Sequence, residues 1–438
     1  MDTNHSKNSV RASDFSFRTS GIEIGAIHTA PGVLQVHKLL PMAILYFFLN
    51  SVGLPTGLFY TTLLAPLFYL WLCFEGKRWV TLKFVACLSP FTVMHLHNGI
   101  ESPYYYARSV LLLWTVYVTV YAFCWALLKY RNIERLFEQL LVLNFCVAII
   151  AFGLLFTPWK GWFWSLDFRN LGGNGDWAPR LMLLASEPSV YGQLMAPLLI
   201  FTVLRLFHNL NRRNLKYVAM IAIPLLLSQS FGAISICLAG LVVALLPRSR
   251  RLMRRKGSVL ILCLGALLVV GILFVPNPIQ RRAFQVAMGA DSSTQFRTVY
   301  SFIAAYGLAA SKSLWWGVGI GQAKLYTGTD FVRFLGFTSA VLINSVADTL
   351  ADLGIIAVVI RFILEIYLFF RTRVYADSFR LAMFVLPFIY QFTGSNLMNV
   401  QEYLLWCFAF APIFPWLNQQ SGIVAAAPSK ATRGGGGQ

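Results

Sequence analysis

The sequence predicts an all-α, polytopic membrane protein of about twelve transmembrane helices, with two large loops on one face that carry short amphipathic helices. Three observations predict it. Hydrophobic residues make up 57% of the chain and charged residues only 12%, whereas soluble domains carry about 25% charged residues. Apolar stretches recur at spanning length, roughly 17–25 residues each. Those stretches do not alternate with the period of two that a membrane barrel needs; Ser258 to Phe274 reads SVLILCLGALLVVGILF. A backbone in lipid must satisfy its own hydrogen bonds, so the spans are read as helices.

The elements follow in order. Residues 1–38 are polar and mixed, lack a cleavable-signal pattern, and read as a tail. Hydropathy then places spans near 39–53, 57–74, 79–95, 109–129, 138–156, 187–206, 216–228, 231–247, 257–275, 341–370 (its first half polar), 381–395 and 402–417. Residues 39–417 thus form one membrane domain. Its two large loops run from about 157 to 186 and from about 276 to 338, and residues 418–438 read as a flexible, low-complexity tail. No internal repeat relates the two halves.

The formal net charge of +19 does not indicate nucleic-acid binding, because the cations sit in short clusters between apolar helices. Lys77 and Arg78 form one cluster and Lys129, Arg131 and Arg135 the next. Further clusters are Arg205 to Lys216, Arg248 to Lys256, and Arg371 to Arg380. They fall on alternate loops, so that side reads as cytoplasmic, with both termini. Both large loops then lie outside. Cys73, Cys87, Cys124, Cys146, Cys237, Cys263 and Cys407 all lie in apolar stretches, with no CxxC and no metal-like spacing with His. They read as small hydrophobic residues, and no metal site or cofactor is expected.

The outer loops hold the residues with chemistry to offer. Trp177-Ala178-Pro179-Arg180 precedes Ser186-Glu187-Pro188-Ser189. Pro188 suits the first turn of a helix, capped by Ser186 or Glu187. Its positive dipole end faces outward, which favours an anion, and Arg180 adds a planar fork suited to phosphate. The plainer alternative is a bare cap with an interfacial arginine. In Asp291 to Arg297, Ser292 and Gln295 form a capping-box pattern, so a helix is expected to start there. Phe296, Val299, Tyr300, Ile303 and Tyr306 then give it an amphipathic face. Arg297 opposes that helix's dipole, which suggests a task other than helix stability; the alternative is a snorkelling side chain.

Gly317-Val318-Gly319-Ile320-Gly321 is a tight turn that lets backbone approach a ligand, and not a dinucleotide fingerprint. Asn344, Asp348 and Asp352 share one helix face at the mouth of a span. His95 and His97, beside Glu101 and Tyr104 to Tyr106, offer a base or merely an interfacial belt.

These motifs together resemble the bacterial O-antigen and exopolysaccharide polymerases of the O-antigen polymerase/ligase superfamily. The likeness lies in an outer arginine before a Glu-Pro-Ser helix start and in Ser292-Ser293-x-x-x-Arg297. It continues in Trp316-Gly317-Val318-Gly319-Ile320-Gly321 and in Asn344 followed by Asp352-Leu353-Gly354. It spans about 157 to 370. The resemblance implies an inverting, metal-independent glycosyltransferase at the periplasmic face of a bacterial inner membrane. Its donor would be an undecaprenyl-diphosphate-linked oligosaccharide and its acceptor another lipid-linked repeat unit. A flippase and a chain-length regulator of the same pathway would be its partners, with membrane lipid around it. Arg180 and Arg297 would handle the diphosphate.

The residues support the same chemistry. A departing diphosphate gains negative charge, which fixed cations stabilise, and the acceptor hydroxyl needs a base, for which Glu187 is the first choice. Asp348 or a loop histidine comes second. Gly319, Gly321, Asn344, Asp348, Trp177 and Trp316 are the further substrate-binding expectations, with Trp159, Trp162, Trp164 and Trp315 as additional stacking surfaces. Ligases of that superfamily carry a His immediately before the Asn; here that position is Ile343. A flippase for lipid-linked sugars is the rival reading, to which Arg361 and Glu365 inside a span would belong.

Overall fold

The computed structural model describes residues 42–44, 47, 60–130, 133–165, 179–248, 280, 284–286, 288–326, 342, 344–394 and 397–414. Both tails, most of the expected span near 39–53, all of that near 257–275, Trp177, Arg281, Arg282 and Ile343 lie outside the described residues.

The described chain is helical, with α1 (Tyr60–Phe74), α2 (Val80–His97), α3 (Pro103–Tyr130), α4 (Glu134–Leu154), α5 (Pro188–His208), α6 (Arg212–Ser228) and α7 (Phe231–Leu245). After a single turn, Ser292–Gln295, and a π-turn, Phe296–Tyr300, come α8 (Ser301–Lys312), α9 (Ser345–Arg371), α10 (Ser378–Tyr390) and α11 (Val400–Phe410). Among the described residues five helices are long and apolar enough to cross a membrane: α2, α3, α4, α5 and α9. The shorter α1, α7 and α10 are also apolar. The molecule is therefore an all-α, multi-pass membrane protein.

Side-chain caps set several helix starts. Asn211 accepts from the Asn214 amide at 2.7 Å, Asp377 from Phe379 at 2.9 Å, and Asn399 from Gln401 at 2.9 Å. Pro188 opens α5 as expected, with Glu187 at the cap position.

Burial sorts the spans. The most apolar window of α5 is 72% buried, that of α2 only 17%, so α5 is central and α2 presents Leu82, Val85, Val93 and Leu96 to lipid. Small residues set the closest approaches, as lipid-embedded helices require. A Cβ on Gly192 of α5 would stand 2.5 Å from Ala233 Cβ of α7, and one on Gly240 of α7 would stand 2.8 Å from the Ala382 carbonyl of α10. Phe137, Phe201, Phe379, Phe408 and Phe414 fill the core beside them.

Charged residues gather at one end of the bundle. Lys129 pairs with Glu75 at 2.6 Å, Arg205 with Glu134 at 3.2 Å, and Arg213 with Glu138 at 2.9 Å. The other end joins the outer loops: Gln322 Oε1 accepts from the Ser102 amide at 2.9 Å, and its Nε2 donates to the Ser102 carbonyl at 3.2 Å. Reporter fusions after Lys77 and Arg213 are therefore expected on the cytoplasmic side and fusions after Lys160 and Lys324 on the opposite side. Lys77 and Lys160 on one side would break the alternation.

Two local features shape this end of the bundle. Among its described residues, the first large loop holds a two-stranded antiparallel ribbon, β1 (Trp164–Ser165) and β2 (Arg180–Leu181), after a 3-10 turn at Pro158–Trp162. Trp164 anchors it, donating its indole N–H to the Ala151 carbonyl of α4 at 2.7 Å.

The expected span 341–370 is not one straight helix. It breaks at Gly354, where φ is 77° and ψ −176°. Ser345 and Arg361 would lie about 24 Å apart along a straight helix. Instead Arg361 Nη1 reaches the Thr349 hydroxyl at 3.3 Å and the Ser345 carbonyl at 3.5 Å. The polar half, 345–353, folds back over 355–371.

Candidate functional site

A cavity of about 740 Å³ opens at the end of the bundle where the large loops meet. Arg180, Glu187 and Arg297, singled out separately in the sequence, all line it.

The ribbon supplies Arg180. Its pairing sets Trp164 opposite Leu181, both buried, and Ser165 opposite Arg180, both half-buried on the cavity wall. Arg180 Nε donates to the Ser228 carbonyl at 3.2 Å and Nη2 to that of Gln229 at 3.5 Å. These are the last carbonyls of α6, which Gln229 closes in the left-handed region at φ 48°. A cation at a helix C-terminus is stabilised by the dipole. Arg180 is thus a wall of the cavity and a cap of α6 together.

Glu187 lies exposed at the cavity rim, at the start of α5. Its side chain does not cap the helix; its Oε2 accepts from the Ser189 hydroxyl at 3.0 Å. The contact between Gly192 and Ala233 draws the N-termini of α5 and α7 together, so Ser230 and Gly232 line the same cavity.

Arg297 comes from the second loop. The helix starts where the capping-box pattern placed it, but Asp291 is the cap, not Ser292: its Oδ2 accepts from the Thr294 amide at 3.0 Å and from the Thr294 hydroxyl. The expected apolar face is real, with Val299, Tyr300, Ile303 and Tyr306 exposed and Ala304, Ala305 and Leu308 buried. Within it the turn at Phe296–Tyr300 is a π-turn, which often marks functional positions. Among the described residues the Arg297 guanidinium makes no hydrogen bond or ion pair, although it is half-buried on the cavity wall.

Asn344 holds that turn in place. Its Nδ2 donates to the carbonyls of Arg297 at 3.0 Å and Phe392 at 2.7 Å, while its Oδ1 accepts from the Val346 and Ala347 amides and caps α9. All four bonds are internal and the side chain is fully buried. Asn344 therefore positions Arg297 and does not line the cavity.

The glycine run also lies elsewhere. The Val318 amide donates to the Ala351 carbonyl at 2.8 Å, that of Gly319 to the Asp352 carbonyl at 3.0 Å, and that of Gly321 to Asp352 Oδ2 at 2.8 Å. A Cβ on Gly321 would collide with the Ser109 hydroxyl. Gly319 and Gly321 are close-approach residues in a joint with broken α9, outside the lining of this cavity.

Asp348 belongs to that joint as well, its Oδ2 accepting from the Leu397 amide at 2.8 Å. Trp316 stacks edge-on to Phe91, at 5.6 Å between ring centroids. Its carbonyl lies 2.7 Å from His95 Nε2. A carbonyl only accepts, so Nε2 carries the proton and Nδ1 accepts from the Tyr106 hydroxyl at 3.0 Å. His95 therefore sits buried at the end of α2 with both nitrogens engaged. Nearby, Tyr326 donates to Glu101 at 3.1 Å. Burial, and then the Glu101 carboxylate, push its hydroxyl up to about 12. Trp159, Trp162 and Trp315 are exposed.

Sequence reasoning missed Ser165, Ser230, Gly232 and Tyr390, all on the cavity wall. A signal for two of them existed: Ser228-Gln229-Ser230-Phe231-Gly232 is a polar break between apolar spans. It also missed Glu402 as the partner of Arg361, whose guanidinium joins Glu365 at 3.1 Å and Glu402 inside the bundle. Among the described residues no group of three or more His, Cys, Asp or Glu side chains gathers to hold a metal ion. No protein-family model and no curated protein matches this chain.

The arrangement offers two guanidinium groups and one rim carboxylate around a space that suits a small polar head. Such an arrangement can hold an anion with a carboxylate beside it.

Proposed function

We propose that this protein is a polysaccharide polymerase with about twelve spans in a bacterial inner membrane. It would transfer a glycan from undecaprenyl diphosphate to a lipid-linked repeat unit at the periplasmic face. The acceptor hydroxyl attacks the anomeric carbon, the bond from that carbon to the diphosphate oxygen breaks, and the configuration inverts. Glu187 takes the hydroxyl proton. The diphosphate leaves with the electron pair, and Arg297, with Arg180 behind it, stabilises the developing charge. One observation carries the reading: a half-buried arginine with no hydrogen bond or ion pair among the described residues shares a cavity with a second arginine and an exposed carboxylate. Ile343, in place of the ligase histidine, favours a lipid-linked acceptor over a lipid A-core acceptor.

The cluster of Arg361, Glu365 and Glu402 favours a second reading, a flippase, since ionisable groups inside spans often mark a transport path. Reconstitution separates the two. Purified protein in nanodiscs, given only lipid-linked repeat units, is expected to build a ladder of longer lipid-linked glycans without nucleotide sugar, ATP or ion gradient, and in EDTA. Glu187→Gln keeps the shape and removes the base, so turnover should fall roughly 10²–10⁴-fold with little change in substrate binding. A flippase would only move unchanged lipid between leaflets. That movement without chain growth would overturn the polymerase; a full-rate ladder from Glu187→Gln would reassign its base.

A further inference from the structure

Helix α7 begins with a residue built to cap it that does not. Ser230 occupies the cap position, where a serine oxygen ordinarily accepts from the amides two and three residues on. Here its side chain makes no such bond. It is 3% exposed, lines the cavity, and among the described residues its hydroxyl has no partner. The first amide engaged by the helix is that of Ile234, on the Ser230 carbonyl at 3.0 Å. Helix geometry leaves the amides of Phe231, Gly232 and Ala233 without intrahelical acceptors.

Gly232 adds an independent observation. It lines the cavity, yet a Cβ there would meet nothing within 4 Å, and its φ is not in the left-handed region. Neither packing nor backbone conformation demands a glycine. What the missing side chain leaves free is access from the cavity to the first turn of α7.

We propose that the Ser230 hydroxyl and the amides of Gly232 and Ala233 form a phosphoryl-binding subsite in the Arg297 cavity. The subsite takes one phosphoryl group of a diphosphate while Arg297 takes the other. An anionic oxygen replaces the missing capping oxygen, and the dipole of a fifteen-residue helix adds to its binding. This rests on the reading of the cavity as a diphosphate site. The diphosphate belongs either to a prenyl lipid or to a free pyrophosphate.

The test uses full-length protein in nanodiscs, titrated calorimetrically with farnesyl diphosphate and, separately, with inorganic pyrophosphate. Wild type is expected to bind. Ser230→Ala should bind roughly tenfold more weakly, the effect of losing one hydrogen bond to a charged group. Gly232→Val extends into open space, so it should keep its size-exclusion profile and melting temperature yet bind at least tenfold more weakly. Ser230→Ala removes a single oxygen and carries the test should Gly232→Val fail to fold. If wild type binds and Arg297→Ala does not, while Ser230→Ala and a folded Gly232→Val bind like wild type, the subsite is wrong and the diphosphate reading stands. If wild type binds neither probe, both fall. Farnesyl diphosphate bound much more tightly than pyrophosphate assigns the subsite to a lipid diphosphate; equal binding assigns it to the free anion.

Discussion

Replacing Arg297 with alanine is expected to reduce chain growth by at least roughly 10²–10³-fold, the usual effect of removing one fixed group that stabilises transition-state charge. Protein abundance should stay close to wild type, because the side chain makes no hydrogen bond or ion pair among the described residues. The fold uses its carbonyl, held by Asn344 at 3.0 Å, and alanine retains that carbonyl. Arg297→Lys should recover little, since an ammonium is a point charge and lacks the planar fork that matches a phosphate. Arg213→Ala is the control: that arginine pairs with Glu138 at the opposite end of the bundle. The measurement is ladder length and rate with purified protein. Wild-type chain growth from Arg297→Ala would remove the charge-stabilising role altogether.

Gly354→Ala should instead cost the fold. The residue sits at φ 77° and ψ −176°, a region essentially restricted to glycine. A Cβ there would stand 2.3 Å from the Trp315 carbonyl oxygen. Backbone cannot yield as a flexible side chain does. The joint would also lose the bonds that replace the helix's own at the break, from the Ile355 amide to the Leu314 carbonyl at 3.0 Å and from Ile356 to Trp315 at 3.3 Å. We expect destabilisation above about 4 kcal/mol, read as loss of the monodisperse peak and of a cooperative melt in detergent. Gly232→Ala, which meets no atom, should melt like wild type. A normal melting temperature for Gly354→Ala would mean that the break in α9 is not required for folding.

Much of the site was legible before the fold. Pro188 announced the start of α5, and the charge opposite Glu187 was readable in Arg180 seven residues before it. The mismatch of Arg297 with its own helix dipole was also visible locally. Each signal arises from neighbours in sequence, where cap and dipole rules operate. The ribbon of β1 and β2 was not legible, because two-residue strands carry no periodicity. The glycine run read correctly as a close approach, and the backbone it approaches is that of α9. Asn344 and Asp348 both hold the chain against itself, Asn344 through the Arg297 and Phe392 carbonyls and Asp348 through the Leu397 amide.

By itself the sequence determined that this is a helical, multi-pass membrane protein and which loop residues carry charge. Those follow from transfer into lipid and from local backbone chemistry, which are nearly additive along the chain. Only the tertiary structure decided that Arg180 and Arg297 enclose one cavity, that Gly354 folds a helix back on itself, and that Asn344 positions an arginine. Periodicity states which face a side chain occupies; what stands opposite that face is settled by packing. In a bundle whose buried amides must all find partners, polar residues are claimed by the nearest unpaired backbone group first. Arg297 and Ser230 line the cavity with side chains that make no hydrogen bond among the described residues.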